Sequence, residues 1–157
     1  MKSVVFVTAL SFMSLGAYAQ STAGVGYKIA YQGDQGKFCM DVAGDKKGDG
    51  ARVQVFPCRG GENQRWTVTT AGDGASAIVG LGGYCLDVRG ASQSAGAPAQ
   101  LYKCHFKTNQ RFLVSADGTI KEEQSGKCLQ AANKNTGATV VLGACSGAAT
   151  DKWRLEP

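Results

Sequence analysis

The sequence predicts an all-β domain of three four-stranded repeats with one disulfide per repeat, and three observations lead there. The first is repetition. Cys39-Met40-Asp41-Val42, Val53-Gln54-Val55-Phe56-Pro57-Cys58 and Asn63-Gln64-Arg65-Trp66 recur as Cys85-Leu86-Asp87-Val88, Ala99-Gln100-Leu101-Tyr102-Lys103-Cys104 and Asn109-Gln110-Arg111-Phe112. A third, altered copy reads Cys128-Leu129-Gln130-Ala131, Val140-Val141-Leu142-Gly143-Ala144-Cys145 and Thr150-Asp151-Lys152-Trp153. Cys39, Cys85 and Cys128 fall 46 and 43 residues apart. A period near 40 marks one supersecondary unit used several times, each too small to bury its own apolar face. The second observation is the cysteine spacing. Six cysteines allow 15 pairings, but Cys39 and Cys58, Cys85 and Cys104, and Cys128 and Cys145 are 19, 19 and 17 apart, so a bridge within each repeat is the simplest solution. The third is 22 glycines among short alternating segments with almost no helical periodicity.

The chain begins with Met1 and Lys2, an apolar run over 4–15 and the small-residue sequence Ala17-Tyr18-Ala19. This reads as a secretory signal peptide, residues 1–19, cut before Gln20. A membrane span would need roughly 18 consecutive apolar residues. Residues 20–157 are then one domain, long enough for a single core.

Taken in order, 27–31 alternates well enough for a first strand, and Gly33 and Gly36 turn the chain. The second strand is 38–42, followed by a polar Gly, Asp and Lys loop over 44–50. The third is 53–58, with Val53 and Val55 on one face and Gln54 and Phe56 on the other, because side chains alternate across a strand. The fourth is 66–69. The second unit repeats this over 77–81, 84–88, 99–104 and 111–115, and the third over 119–122, 127–131, 139–145 and 152–155, giving twelve strands.

Composition excludes several classes. The net charge is +5, or +4 once Lys2 is removed, and the basic residues are dispersed, with Lys46-Lys47 the only adjacent pair. Nucleic-acid binding would want them clustered among stacking aromatics. No amphipathic helix addresses a membrane, so no insertion is expected. No Cys-x-x-Cys occurs and His105 is the only histidine, so neither a metal nor another cofactor is expected. Nothing in the sequence sets an oligomeric state.

The Cys-x-Asp-Val starts at Cys39 and Cys85, the Gln-x-Trp end at Gln64-Arg65-Trp66 and its variant at Gln110-Arg111-Phe112, with the threefold spacing, resemble the ricin-type B-chain lectin domain. The resemblance covers nearly all of 20–157. It implies a β-trefoil, six hairpins forming a barrel and a cap around a pseudo-threefold axis, and binding of galactose-type glycans or glycoproteins in shallow pockets. Phe112 departs from the usual Trp, and most of the third unit departs too.

A sugar presents vicinal hydroxyls and one apolar ring face. A site for it needs a charged acceptor, amides and an aromatic platform. Asp41 and Asp87 suit the first role, because a carboxylate accepting two hydroxyls makes charge-assisted bonds. Phe56 and Tyr102 lie on outward strand faces and can cover the ring. Gln54 and Gln100 share those faces, and the resemblance adds the amides of Asn63 and Asn109, which both donate and accept. Any one of these would pass for a turn former or a loop cap. What counts is that Asp, Gln, an aromatic and Asn recur at the same four offsets. Gln64 and Gln110 are expected to brace the Asp loop from behind, and Trp66, Phe112 and Trp153 to be core. In the third unit the outward set becomes Gln130, Val141, Gly143, Thr150 and Asp151, so the fold is expected to survive there without the site.

The expected function is therefore a secreted, non-enzymatic lectin with two sugar sites, in the first and second repeats. A hydrolase would need paired carboxylates or a nucleophile with a base. Asp41 and Asp87 belong to separate units, His105 has no dedicated partner in the sequence, and no separate catalytic domain is expected. A protein-binding trefoil such as a protease inhibitor would use long exposed loops; the longest, 90–96, is rich in Ser, Gln and Ala without an obvious anchor.

Overall fold

The computed structural model describes residues 26–157, so the signal peptide and the cut before Gln20 lie outside the described residues. Twelve strands form: β1 (Lys28–Gly33), β2 (Gly36–Val42), β3 (Val53–Pro57), β4 (Thr67–Gly72), β5 (Ala75–Val79), β6 (Cys85–Val88), β7 (Ala99–Tyr102), β8 (Phe112–Val114), β9 (Ile120–Glu122), β10 (Cys128–Ala131), β11 (Val140–Gly143) and β12 (Arg154–Glu156). Every helical segment among the described residues is a single 3-10 turn of three residues. The boundaries shift from those expected for local reasons. β3, β7 and β11 stop short of the cysteines that follow them. β4 starts after Trp66, whose N–H and C=O instead bond Tyr27 at 2.8 and 2.7 Å, and it runs on to Gly72 in a hairpin with β5. Asp73 and Gly74, both at positive φ, make that turn.

Antiparallel pairing links the strands into a four-stranded sheet, β12-β1-β2-β3, and a larger one running β11-β10-β9-β8-β5-β6-β7. The repeats close on each other through one pattern used three times. The loop after β2 bonds β7 (Gly50 N–H to Leu101 O, Leu101 N–H to Ala51 O), and the loop after β6 bonds β11 (Gly96 N–H to Leu142 O, Leu142 N–H to Ala97 O). The loop after β10 returns to β3 (Gly137 N–H to Val55 O, Val55 N–H to Ala138 O). Each repeat thus satisfies the exposed edge of the next, and β3, β7 and β11 meet around the axis.

Equivalent positions fill the core. Met40, Leu86 and Leu129 pack with Val55, Leu101 and Leu142 and with Val53, Ala99 and Val140, under Trp66, Phe112 and Trp153. The two indoles also bond the backbone, Trp66 Nε1 to Met40 O at 2.9 Å and Trp153 Nε1 to Leu129 O at 2.8 Å. Phe112 has no such donor. All six cysteines pair within their repeats, Cys39 with Cys58, Cys85 with Cys104 and Cys128 with Cys145. Each bridge ties the second strand of its repeat to the chain just past the third, so the loop that follows leaves from a fixed point.

Candidate functional site

In the first repeat Asp41 on β2 stands opposite Gln54 on β3, and Cys39 opposite Phe56. Beyond the disulfide the chain reverses at Gly60, whose φ of 76° suits a residue without Cβ. The 3-10 turn Glu62–Gln64 then lays Asn63 and Gln64 back over Asp41. The second repeat builds the same frame, with Asp87 opposite Gln100, Cys85 opposite Tyr102, and the turn Thr108–Gln110.

Both carboxylates are almost fully buried, Asp41 at 3% and Asp87 at 2% exposure. Asp41 Oδ1 accepts from Gln54 Nε2 at 2.8 Å, and Oδ2 accepts from Asn63 Nδ2 at 2.8 Å and Gln64 Nε2 at 3.0 Å. Asp87 accepts from Gln100 at 2.9 Å, Asn109 at 2.8 Å and Gln110 at 2.9 Å. An ionised carboxylate has about four acceptor positions. Three are taken, so each Asp has room for about one further donor rather than the two hydroxyls expected. Further acceptor capacity at the rim lies on Asn63 and Asn109, whose amide N–H groups are used on the Asp and on Val42 O or Val88 O while Oδ1 stays open.

Gln64 and Gln110 lie behind the carboxylates. Gln64 Oε1 accepts from the N–H groups of Arg59 and Gly60, and its Nε2 also donates to Pro57 O. Gln110 does the same with His105, Phe106 and Lys103. Each glutamine therefore joins the loop after the disulfide to the Asp.

Cavities of about 430 and 320 Å³ open over Asp41 and Asp87. Gln54, Phe56 and Asn63 line the first, with Gly44, Asp45 and Arg59. Gln100, Tyr102 and Asn109 line the second, with Ala91, His105 and Lys107. Phe56 is half-buried with the Arg59 guanidinium 5.0 Å from its ring centre, whereas Tyr102 is 38% exposed and meets His105 edge-on. His105 Nδ1 accepts from the Lys107 N–H, and its Nε2 lies 3.6 Å from Asp87 Oδ2.

Sequence reasoning missed Arg59 and His105, although they sit three residues after Phe56 and Tyr102 and the same offset comparison finds both. It also missed what holds the inner glutamines. Gln54 Oε1 accepts from Arg52 at 2.6 Å and Gln100 Oε1 from Arg89 at 2.8 Å. No offset links these two arginines, since Pro98 stands where Arg52 would be repeated. Gln54 and Gln100 are themselves buried, so they orient the carboxylates more than they offer free amides.

In the third repeat Gln130 faces Val141 and Cys128 faces Gly143. A Cβ at Gly143 would lie 2.0 Å from Gln130 Nε2, so the Gln130 amide fills the space where the other repeats hold a ring. Asp151 takes the place of Gln64 and Gln110. Its Oδ2 accepts from the N–H groups of Ser146 and Gly147, while Oδ1 is buried without a partner. Thr150 has no amide to offer at the asparagine position.

A family model described as the ricin-type beta-trefoil lectin domain matches residues 28–153. The designed 3-fold symmetric protein ThreeFoil is 33% identical, with 83% of this chain and 98% of that one covered and a TM-score of 0.77. A non-toxic homologue of type II RIPs from Momordica charantia (bitter gourd), solved with α-methyl-D-galactoside, is 25% identical over 85% of this chain and 48% of its own, with a TM-score of 0.70. The C-half of an earthworm R-type lectin, in complex with GalNAc, shares the fold at 17% identity and a TM-score of 0.65, over 84% of this chain and 98% of that one. The family match spans most of the chain, and the repeats, bridges and strand order agree with it: this protein belongs to the ricin-type β-trefoil lectin domain family.

Proposed function

We propose that this protein is a secreted, non-enzymatic lectin whose domain, residues 20–157, carries two sites for galactose-type glycans or glycoproteins, one over Asp41 and one over Asp87. Family membership supports the carbohydrate-binding role. The observation that carries the two-site reading is the duplication of one buried clamp. In both repeats three amides hold a carboxylate beneath an aromatic rim, and the paired distances agree to within 0.1 Å. The bitter gourd relative, solved with a galactoside, supports the sugar class. Against hydrolysis, the Asp41 carboxylate that lines the first cavity with Asp45 is already held by three amide donors, and the second cavity has Ala91 in place of Asp45. Three paired disulfides and the leader support secretion into an oxidising compartment.

Calorimetric titration with methyl galactoside tests this. The parent protein is expected to bind two equivalents, Phe56→Ala and Tyr102→Ala one each, and the double variant none. These substitutions leave the buried clamps untouched. A double variant that still bound competably would refute the assignment, as would a parent that bound none. N-terminal sequencing of protein recovered from the medium should begin at Gln20.

A further inference from the structure

The first cavity continues past Asn63. A second depression of about 380 Å³ adjoins it, shares Asp45, Gly61 and Asn63 with it, and is completed by Lys47, Glu62 and Leu81. Leu81 belongs to the turn between β5 and β6 in the second repeat and is only 6% exposed, which makes it a firm apolar floor. Lys47 is laid along the same turn. A Cβ at Gly82 would meet its Cδ at 3.3 Å, so the alkyl stem packs there and its ammonium stands at the edge. No ion pair among the described residues engages Asp45, Lys47 or Glu62. Their hydrogen-bonding capacity is directed to solvent around an apolar floor.

The second repeat does not reproduce this. Ala91, Gln93 and Thr108 occupy the positions of Asp45, Lys47 and Glu62, and Gln124 that of Leu81. Thr108 Oγ1 donates to Gln124 Oε1 at 2.9 Å, spanning the place where the first repeat is open.

We infer that the depression is a second subsite, which takes the next sugar residue of a glycan whose terminal unit sits over Asp41. This rests on the proposed lectin function and makes the two sites unequal. The first reads at least a disaccharide and the second a single terminal unit. Two carboxylates and an ammonium can meet the hydroxyls of the second ring, while Leu81 covers one of its faces. One or two added charge-assisted hydrogen bonds give about a tenfold gain in affinity.

The test uses Tyr102→Ala, which keeps the first site, and Phe56→Ala, which keeps the second, each titrated with methyl galactoside and a panel of galactose-terminated disaccharides of differing linkage. The expected result is that at least one disaccharide binds Tyr102→Ala about tenfold more tightly than methyl galactoside, while the ratio for Phe56→Ala stays near one. Adding Lys47→Ala and Glu62→Thr to Tyr102→Ala should erase the gain and leave methyl galactoside binding unchanged. Equal binding of monosaccharide and every disaccharide by Tyr102→Ala would overturn the subsite, and so would a gain that survives Lys47→Ala with Glu62→Thr. If neither single-site protein bound methyl galactoside, the lectin reading itself would have failed, and the subsite with it.

Discussion

Replacing Asp41 by Asn conserves volume, yet the buried clamp makes it a costly change. The carboxylate accepts three N–H donors, at 2.8, 2.8 and 3.0 Å, at a position 3% exposed. An asparagine has one oxygen. If it faces Asn63 and Gln64, its amide nitrogen meets Gln54 Nε2, donor against donor. Turning the Gln54 amide over would move the conflict to Arg52, which donates to Gln54 Oε1. Either way one buried donor is left unpaired, at about 1–3 kcal/mol, and the two surviving bonds lose charge assistance worth about 0.5–1 kcal/mol each. The sum is roughly 2–5 kcal/mol, or a fall in Tm of roughly 6–20 °C for a domain of this size. Scanning calorimetry measures it, with Phe56→Ala as a control that removes the proposed sugar platform while sparing the clamp. Sugar binding at the first site should disappear in both variants, but only Asp41→Asn should melt much earlier. A Tm within about 2 °C of the parent would show that the three amides do not clamp the carboxylate, and the equivalence of the two sites would lose its physical basis.

Trp66→Phe should cost about 1 kcal/mol in denaturant unfolding through loss of the bond to Met40 O, a change the second repeat already carries as Phe112. Gly80→Ala should cost about 1–3 kcal/mol, because a Cβ there would meet Trp66 ring carbons at 2.5 and 2.7 Å. Asp151→Gln should stabilise the third repeat by about 1 kcal/mol without creating a sugar site. Its Oε1 can keep the Ser146 and Gly147 bonds and its Nε2 gives the orphaned position a donor, while Gln130 still fills the pocket; a melt and a titration check the two halves. Stability should fall in acid. Bonds from the Thr119 N–H and hydroxyl, then Lys152, hold Asp117 well below the usual carboxylate range, and Arg111 lowers Glu123. Groups depressed on folding stabilise above their unfolded pKa, so Tm should hold down to about pH 4 and decline below it. Asp117→Asn should lower the neutral plateau and soften that decline, and an unchanged acid limb would refute its share.

The repeat count, the strands and the within-repeat bridges were legible because they rest on local properties. Alternation along Val53 to Phe56 assigns the inner and outer faces of β3 without knowledge of any partner, and near-equal cysteine spacings follow from one unit used three times. The recurring Asp, Gln, aromatic and Asn likewise pointed to residues that the structure gathers into two cavities. Harder to read was the use of each group. The sequence shows a carboxylate, but only packing shows that three of its acceptor positions are already occupied.

What the sequence alone determined is therefore the architecture, its threefold plan and the residues that converge in the first two repeats. Tertiary structure decided three things. It chose Arg52 and Arg89, from unrelated offsets, for the same role against Gln54 and Gln100. It folded Gln130 over Gly143. It also left an open depression between the first and second repeats where Thr108 and Gln124 close the next one. Each depends on where segments distant along the chain come to rest, and backbone bonds between one repeat's loop and the next repeat's strand set those positions. Alternation and turn chemistry act over a few residues, whereas hydrogen-bond partners and cavity shape are chosen by the packed whole.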